Sequence, residues 1–220
     1  MRSVIFDLDG TLADTSGDLL NAANACFRQM GYGDLLEHGR DAGIALRGGR
    51  MMLSEGLRRV DAFDQATVDS YYAVLLEAYR GAIAEHSYLY DGAMDAVETL
   101  KSKGYRVGIC TNKPEALAHQ LMTEFGVLTQ FGSLVGADTL PVRKPDPAPL
   151  REAARLAGGD PAQCLLVGDS DTDRNTAKAA GVPSILVTFG PSGEDMAALS
   201  PEALLHRYPD LPDMVADLIG

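Results

Sequence analysis

Val4-Ile5-Phe6-Asp7-Leu8-Asp9-Gly10-Thr11-Leu12 is the stretch on which the reading of this chain turns. Three apolar residues form a run suited to a buried strand. Two aspartates follow, two positions apart, and then a glycine. A strand buries apolar side chains, so carboxylates at its end need water, a metal or a partner. In an open α/β sheet the carboxyl ends of the strands are where ligands bind. Asp and Gly are also common where a strand merely exits into a loop, so the rest of the chain has to decide between the two readings.

Working outward, five short apolar runs alternate with helical segments: 3–6, 106–110, 133–135, 164–167 and 184–187. Helix punctuation lies between them. Asp91 can cap a helix ending near Gly104, and Asn112 and Pro114 suit a helix start with Gly126 at its end. Pro147 or Pro149 can open another helix ahead of Gly158-Gly159, and 172–180 fits a short helix closed by Gly181. Strands alternating with helices of about 10–15 residues predict a Rossmann-like α/β fold, a parallel sheet with helices on both faces. Residues 15–86 break the pattern. Leu19, Ala23, Phe27 and Met30 recur at helical spacing, a second helix starts near Gly49, and a third runs over 65–84. The predicted organisation is therefore an α/β core of residues 1–14 and 87–220, with an all-helical insertion, 15–86, after the first strand. The tail, 193–220, reads as two helical turns around Tyr208-Pro209, packed on the surface.

Composition narrows the function. The chain has 220 residues, is 46% hydrophobic and 23% charged, and carries a formal net charge of -12. No run of Lys or Arg supplies the basic face that nucleic acid requires. An anionic small substrate stays open, because a bound cation and a few local donors override the global field. Cys26, Cys110 and Cys164 are far apart without CxxC spacing, which predicts buried free thiols and a reducing, cytoplasmic setting. His38, His86, His119 and His206 lack metal-ligand spacing. The N-terminus runs straight into the first strand without a signal-like segment. No apolar run approaches the ~18 residues of a membrane span, so no membrane partner is expected.

Polar groups cluster at the ends of the predicted strands: Asp7 and Asp9; Thr111-Asn112-Lys113; Lys144 in Arg143-Lys144-Pro145; and Gly168-Asp169-Ser170-Asp171-Thr172-Asp173. In a parallel sheet these ends share one edge. Three carboxylates suit Mg²⁺, a hard cation with oxygen ligands. A carboxylate can also attack phosphorus to form an aspartyl-phosphate. A hydroxyl, an amide and a lysine suit phosphoryl oxygens, and phosphoryl transfer needs mainly positioning and charge neutralisation.

These four motifs, in this order, resemble the haloacid dehalogenase superfamily in its phosphatase branch. The resemblance implies roles. Asp7 would be the nucleophile, and Asp9 the general acid and then the base for the hydrolytic water. Mg²⁺ would be held by the Asp7 carboxylate, the Asp9 backbone carbonyl and Asp169. Thr111 and Asn112 would bind the phosphoryl group, Lys144 would neutralise nucleophile and phosphate, and Asp173 would orient metal waters or Lys144. Asp171 reads as solvated surface. An acid at position 9 favours phosphate esters over halides and phosphonates, since an alkoxide leaving group needs a proton.

The helical insertion matches the family's cap in position. Its most suggestive stretch is Arg47-Gly48-Gly49-Arg50, where glycines permit close approach and an arginine can grip a carboxylate bidentately. Arg47 is the candidate there, weighed evenly against a solvated charge, which is the favoured reading for Arg50. Phosphoglycolate phosphatases often show Gly-x-Gly at this point, where this chain has Arg47-Gly48-Gly49, a departure that bears on the substrate. The likeness to that subgroup continues through Lys113, the stretch 176–181 and Val187-Thr188-Phe189-Gly190. The expected activity is a Mg²⁺-dependent phosphatase for a small phosphorylated metabolite, 2-phosphoglycolate first. The alternatives are a sugar phosphomutase of the same superfamily and a phospho-aspartate signalling module, the latter disfavoured by a nucleophile on the first strand and by the insertion. The sequence leaves the oligomeric state open.

Overall fold

The computed structural model describes residues 1–190 and 195–220, and the chain forms two compact units. One comprises Met1–Ala13, Leu89–Gly190 and the tail from residue 195; the other is Asp14–Tyr88. In chain order the elements are β1 (Ser3–Phe6), β2 (Ala13–Asp14), α1 (Ser16–Gln29), α2 (Ala42–Ala45), α3 (Gly49–Arg59), α4 (Gln65–Gly81) and β3 (Tyr88–Leu89). They continue with α5 (Ala93–Ser102), β4 (Arg106–Cys110), α6 (Glu115–Glu124), β5 (Leu134–Val135), α7 (Ala148–Leu156), β6 (Cys164–Gly168), α8 (Asp171–Ala180), β7 (Ser184–Val187), β8 (Ala203–Leu205) and α9 (Leu211–Ile219).

In the first unit six strands form a sheet in the order β5-β4-β1-β6-β7-β8, and every pairing is parallel. The fold is the Rossmann-like α/β class expected. β1 is central, and all four of its residues are buried. Side chains alternate across a strand. Ile5, Cys110 and Leu166 therefore share one face with Leu150, Ala153 and Ala154 of α7 and Ala177 of α8. Their neighbours Val4, Phe6, Ile109, Leu165 and Val167 are equally buried, which is why these strands read as continuous apolar runs rather than alternating ones. On one side α7 packs on β1, β4 and β5 and against α8, while α5 packs on β4 and against α9.

The register is what builds a site. Phe6 lies opposite Ile109 of β4 and Val167 of β6. The residues that follow each strand, Asp7, Thr111 and Asp169, thus emerge along one edge.

Two local expectations differ. The helix after residue 90 is capped by Gly92 in the left-handed region rather than by Asp91. The tail is more than two surface turns: Ala203–Leu205 adds a sixth parallel strand beside β7. Tyr208 is buried there, and its hydroxyl donates to the Thr11 carbonyl at 2.6 Å. A three-residue apolar run cannot distinguish strand from helix by periodicity, so the partner strand decided it. Residues 193–194 of the expected tail lie outside the described residues.

The second unit is built from α1 to α4. Leu20, Ala23 and Phe27 of α1, Met52, Leu53 and Leu57 of α3, and Val68, Leu75 and Tyr79 of α4 are buried. Its two ends are tied together. Buried Asp18 accepts from the backbone N–H groups of His86 and Ser87 and from the Ser87 hydroxyl. Asp14 accepts from Ser16 and from the Tyr88 hydroxyl. Cys26, Cys110 and Cys164 are buried and unbridged. Burial pushes the Cys110 thiol up to about 12. Among the described residues no helix is long and apolar enough to cross a membrane.

Candidate active site

The turn after β1 carries both aspartates. The N–H groups of Leu12 and Ala13 donate to the Leu8 carbonyl, and Gly10 sits at φ +81°, a conformation natural to glycine. The Asp7 N–H still donates to Val167 of β6 at 2.8 Å, so Asp7 remains on the sheet while its carboxylate leaves it.

Lys144 reaches this carboxylate: its Nζ lies 3.0 Å from Asp7 Oδ1 and 2.6 Å from Asp173 Oδ1. All three side chains are largely or wholly buried. Burial opposes the lysine's charge, but Asp173 and Asp7 outweigh it and hold its pKa above the ordinary lysine range. Asp173 has both oxygens engaged, for Oδ2 accepts from the Ser170 hydroxyl at 2.6 Å and from the Asp169 N–H at 3.2 Å. The Ser170 oxygen in turn accepts from the Asp173 N–H, the reciprocal cap of α8. Gly168 makes room for this arrangement: a Cβ there would lie 2.4 Å from Asp173 Cβ.

Asp169 is buried at the start of the same loop and accepts from the Thr11 hydroxyl at 3.2 Å. Burial, reinforced by Asp173 and Asp7, raises its pKa well above the usual carboxylate range. For Asp7, burial pushes the carboxyl up to about 6, against the pull of Lys144. Despite the ion pair, Asp7 Oδ1 has no well-directed hydrogen-bond donor.

Thr111 is buried after β4, and its hydroxyl oxygen accepts from the Lys113 N–H at 3.1 Å. Asn112 is exposed, and its amide donates to the Lys144 carbonyl, steadying the loop that carries the lysine. Lys113 is buried and pairs with Asp9, Nζ to Oδ1 at 2.7 Å. Asp7, Asp9, Thr111, Asn112, Lys144, Asp169 and Asp173 thus lie along the edge of one unit. Arg47 belongs to the other unit, exposed just ahead of α3, and Asp171 is exposed at the first position of α8.

Two contributors were not picked out as site residues from the sequence. Lys113 stands in the sequence as a strand-end polar residue and a subgroup likeness, and Thr11 as a motif residue favouring a phosphatase over a mutase; neither carries a site role there. Proximity of Lys113 to a strand end was the available signal for it; its pairing with a residue 104 positions away was not legible.

A divalent cation suits this donor set. Ligand oxygens of Asp7, Asp169 and Asp173 all lie within 4.8 Å of one another. Because both Asp173 oxygens are taken, Asp7 and Asp169 are the two with capacity to spare. Four carboxylates, those of Asp7, Asp9, Asp169 and Asp173, stand against the two ammonium groups of Lys113 and Lys144. The two uncompensated negative charges match one divalent ion, and burial is the chief cause of the raised Asp7 and Asp169 pKa values.

A parallel sheet with acidic loops at one edge is a Rossmann-like scaffold carrying an acidic site, and comparison with known proteins specifies its family. The family model of haloacid dehalogenase-like hydrolases matches residues 4–187. The chain belongs to this family. It is 36% identical over 215 residues to a protein of Mesorhizobium japonicum named phosphoglycolate phosphatase, covering 97% of this chain and 94% of that one. A protein of Rhodospirillum rubrum with the same name is 37% identical over 218 residues, covering 96% and 90%. Among solved structures, a predicted phosphoglycolate phosphatase from Haemophilus somnus superposes with a TM-score of 0.84 at 24% identity, over 97% of both chains, which speaks to the fold.

Proposed function

We propose that this chain is a phosphatase that hydrolyses a small phosphate monoester through an aspartyl-phosphate, with 2-phosphoglycolate as its substrate. The observation that carries the chemistry is the buried ion triad Asp7–Lys144–Asp173 beside Asp169. It presents a nucleophilic oxygen next to a fixed positive charge and a cation site. The substrate is inferred from the two curated relatives named above, each aligned over nearly its whole length.

In the first half-reaction an Asp7 oxygen attacks phosphorus. The bond from phosphorus to the ester oxygen breaks, and that oxygen takes a proton from Asp9. In the second, Asp9 accepts a proton from water as the water oxygen attacks phosphorus, and the bond to Asp7 breaks, returning the carboxylate and releasing phosphate. Lys144 holds Asp7 in place and offsets charge on the phosphoryl oxygens. Thr111 offers its hydroxyl hydrogen to the phosphoryl group. Asn112 acts there through the Lys144 loop that its amide grips. Asp7, Asp169 and the Asp9 carbonyl would hold Mg²⁺, with Asp173 orienting Lys144 and the Asp169 backbone. When bound, the ion would supply Lewis-acid polarisation of the phosphoryl oxygens.

Arg47 is assigned to the substrate carboxylate on its chemistry, a guanidinium matched to a bidentate acceptor. The helical unit is assigned the family's cap role, reading the non-phosphate end of the substrate. The metabolite is the only class of partner this reading needs.

A panel of phosphate esters, assayed with and without Mg²⁺, tests it. Phosphate release from 2-phosphoglycolate is expected to require the metal and to fall on the order of 10⁴-fold in Asp7→Ala. Absence of phosphate release from every ester would sink the reading. An isomeric sugar phosphate formed from a sugar 1-phosphate would replace it with the mutase.

A further inference from the structure

We propose that Lys113 is the positioning residue for Asp9, a role distinct from that of Lys144 and one that rests on the phosphatase reading above. The two lysines contact different carboxylates. Lys144 serves Asp7 and Asp173, while Lys113 contacts Asp9 at 2.7 Å. The side chains of Lys113 and Asp9 are only 4% and 17% exposed, so this pair is not a solvated surface contact of little consequence.

The lysine is delivered from a fixed main chain. Its N–H donates to the Thr111 hydroxyl at 3.1 Å, and its carbonyl accepts from the Ala137 N–H at 2.9 Å. Asp9, by contrast, lies in the turn after β1, a carboxylate on two rotatable bonds. Holding one of its oxygens on a fixed ammonium sets the direction of the other. Proton transfer to an ester oxygen needs hydrogen-bond reach and alignment. An aspartate free to turn would satisfy both for a fraction of the time. The same contact couples the two ends of the site, because the loop that presents Thr111 to the phosphoryl group also presents Lys113 to Asp9. Seating the phosphate and aiming the acid are thereby functions of one loop, Thr111-Asn112-Lys113.

The consequence is specific to the leaving group. An alkoxide needs the proton, whereas p-nitrophenolate leaves without much help. kcat/KM reports steps up to the first irreversible one, here expulsion of the leaving group, and so isolates the acid role from later hydrolysis of the phosphoenzyme. Lys113→Met is expected to lower kcat/KM for 2-phosphoglycolate by about 10²-fold, and for p-nitrophenyl phosphate by no more than a few-fold. Lys113→Arg should recover part of the loss, since it keeps the charge. The double variant Lys113→Met/Asp9→Asn should be no slower than Asp9→Asn alone, as for residues that act as a unit. Thermal melts of each variant check folding, and the Arg variant carries the test if Met is unstable.

Equal losses on both esters, or additive losses in the double variant, would overturn the positioning role and leave the phosphatase standing. If the unaltered enzyme releases phosphate from neither ester, the phosphatase reading falls and the role of Lys113 falls with it.

Discussion

At Thr11 a single hydroxyl links the turn after β1 to the acidic loop. It donates to Asp169 at 3.2 Å, while the Thr11 carbonyl accepts from Tyr208. Groups that orient a metal ligand from behind typically matter 10–100-fold for affinity. Thr11→Val keeps the shape and removes the donor. It should raise the Mg²⁺ concentration for half-maximal activity by roughly 10-fold, with a smaller change in kcat at saturating metal. An unchanged metal requirement would show that Asp169 is held by its burial alone. At this scale the sequence was informative about residue types and positions: Asp7, Asp9 and Asp169 stand at or beside strand ends, and Lys144 and Asp173 in the segments that follow β5 and β6. It was silent on pairing, and nothing in Thr111-Asn112-Lys113 says that the lysine, not the asparagine, turns toward Asp9.

Among elements, α3 is fastened to the loop before α2 by one ion pair. Both terminal guanidinium nitrogens of Arg59, Nη1 and Nη2, reach buried Asp41 at 2.8 Å, and the Glu37 N–H donates to the same carboxylate at 2.7 Å. Arg59 therefore holds the Asp41 carboxyl well below the usual carboxylate range. A depressed acid contributes stability above its unfolded pKa of about 3.9 and loses it as pH falls. Asp41→Asn should destabilise the protein by about 1.5–3 kcal/mol at pH 7. The gap between variant and parent should narrow once the pH drops below about 4, a trend that urea titrations at several pH values would show. A gap independent of pH would mean that shape, not charge, matters at this position.

Elements also show where the sequence pattern stopped being readable. The central strands were legible because β1, β4 and β6 are buried on both faces and read as unbroken apolar runs. The edge strand β8 was not, since three residues between prolines carry no period; its pairing with β7 exists only in the assembled sheet. The short α2, Ala42–Ala45, was missed for the same reason.

For the whole molecule, the balance of charge at the sheet edge makes stability depend on metal and pH together. Asp7 is pushed up to about 6, and Asp169 is also raised. Raised acids bind more protons in the folded state than in the unfolded chain. Without metal, the Asp7 contribution is therefore fully present below about pH 4 and is lost as pH rises through about 6. The melting temperature of EDTA-treated protein should fall between pH 5 and pH 7 on its account. Added Mg²⁺ should restore it, with a larger upward shift at pH 7 than at pH 5, because the ligands must be deprotonated. Calorimetry at the two pH values, with and without Mg²⁺, checks this. A shift equal at both would mean the ion binds elsewhere.

By itself the sequence determined the fold class, the positions of the core strands along the chain and the residues that follow them. Those are local properties: apolar run length, helix punctuation and carboxylates where an apolar run stops. Only the tertiary structure decided which charges meet. Lys144 with Asp7 and Asp173, Lys113 with Asp9, Thr11 with Asp169 and Tyr208 with Thr11 are contacts across 29 to 197 positions. Each depends on the level register of β1, β4 and β6 and on side-chain directions that no local pattern encodes. The opening aspartates were visible as a pair from the start. That each contacts a different lysine emerged once the sheet had brought four loops to one edge.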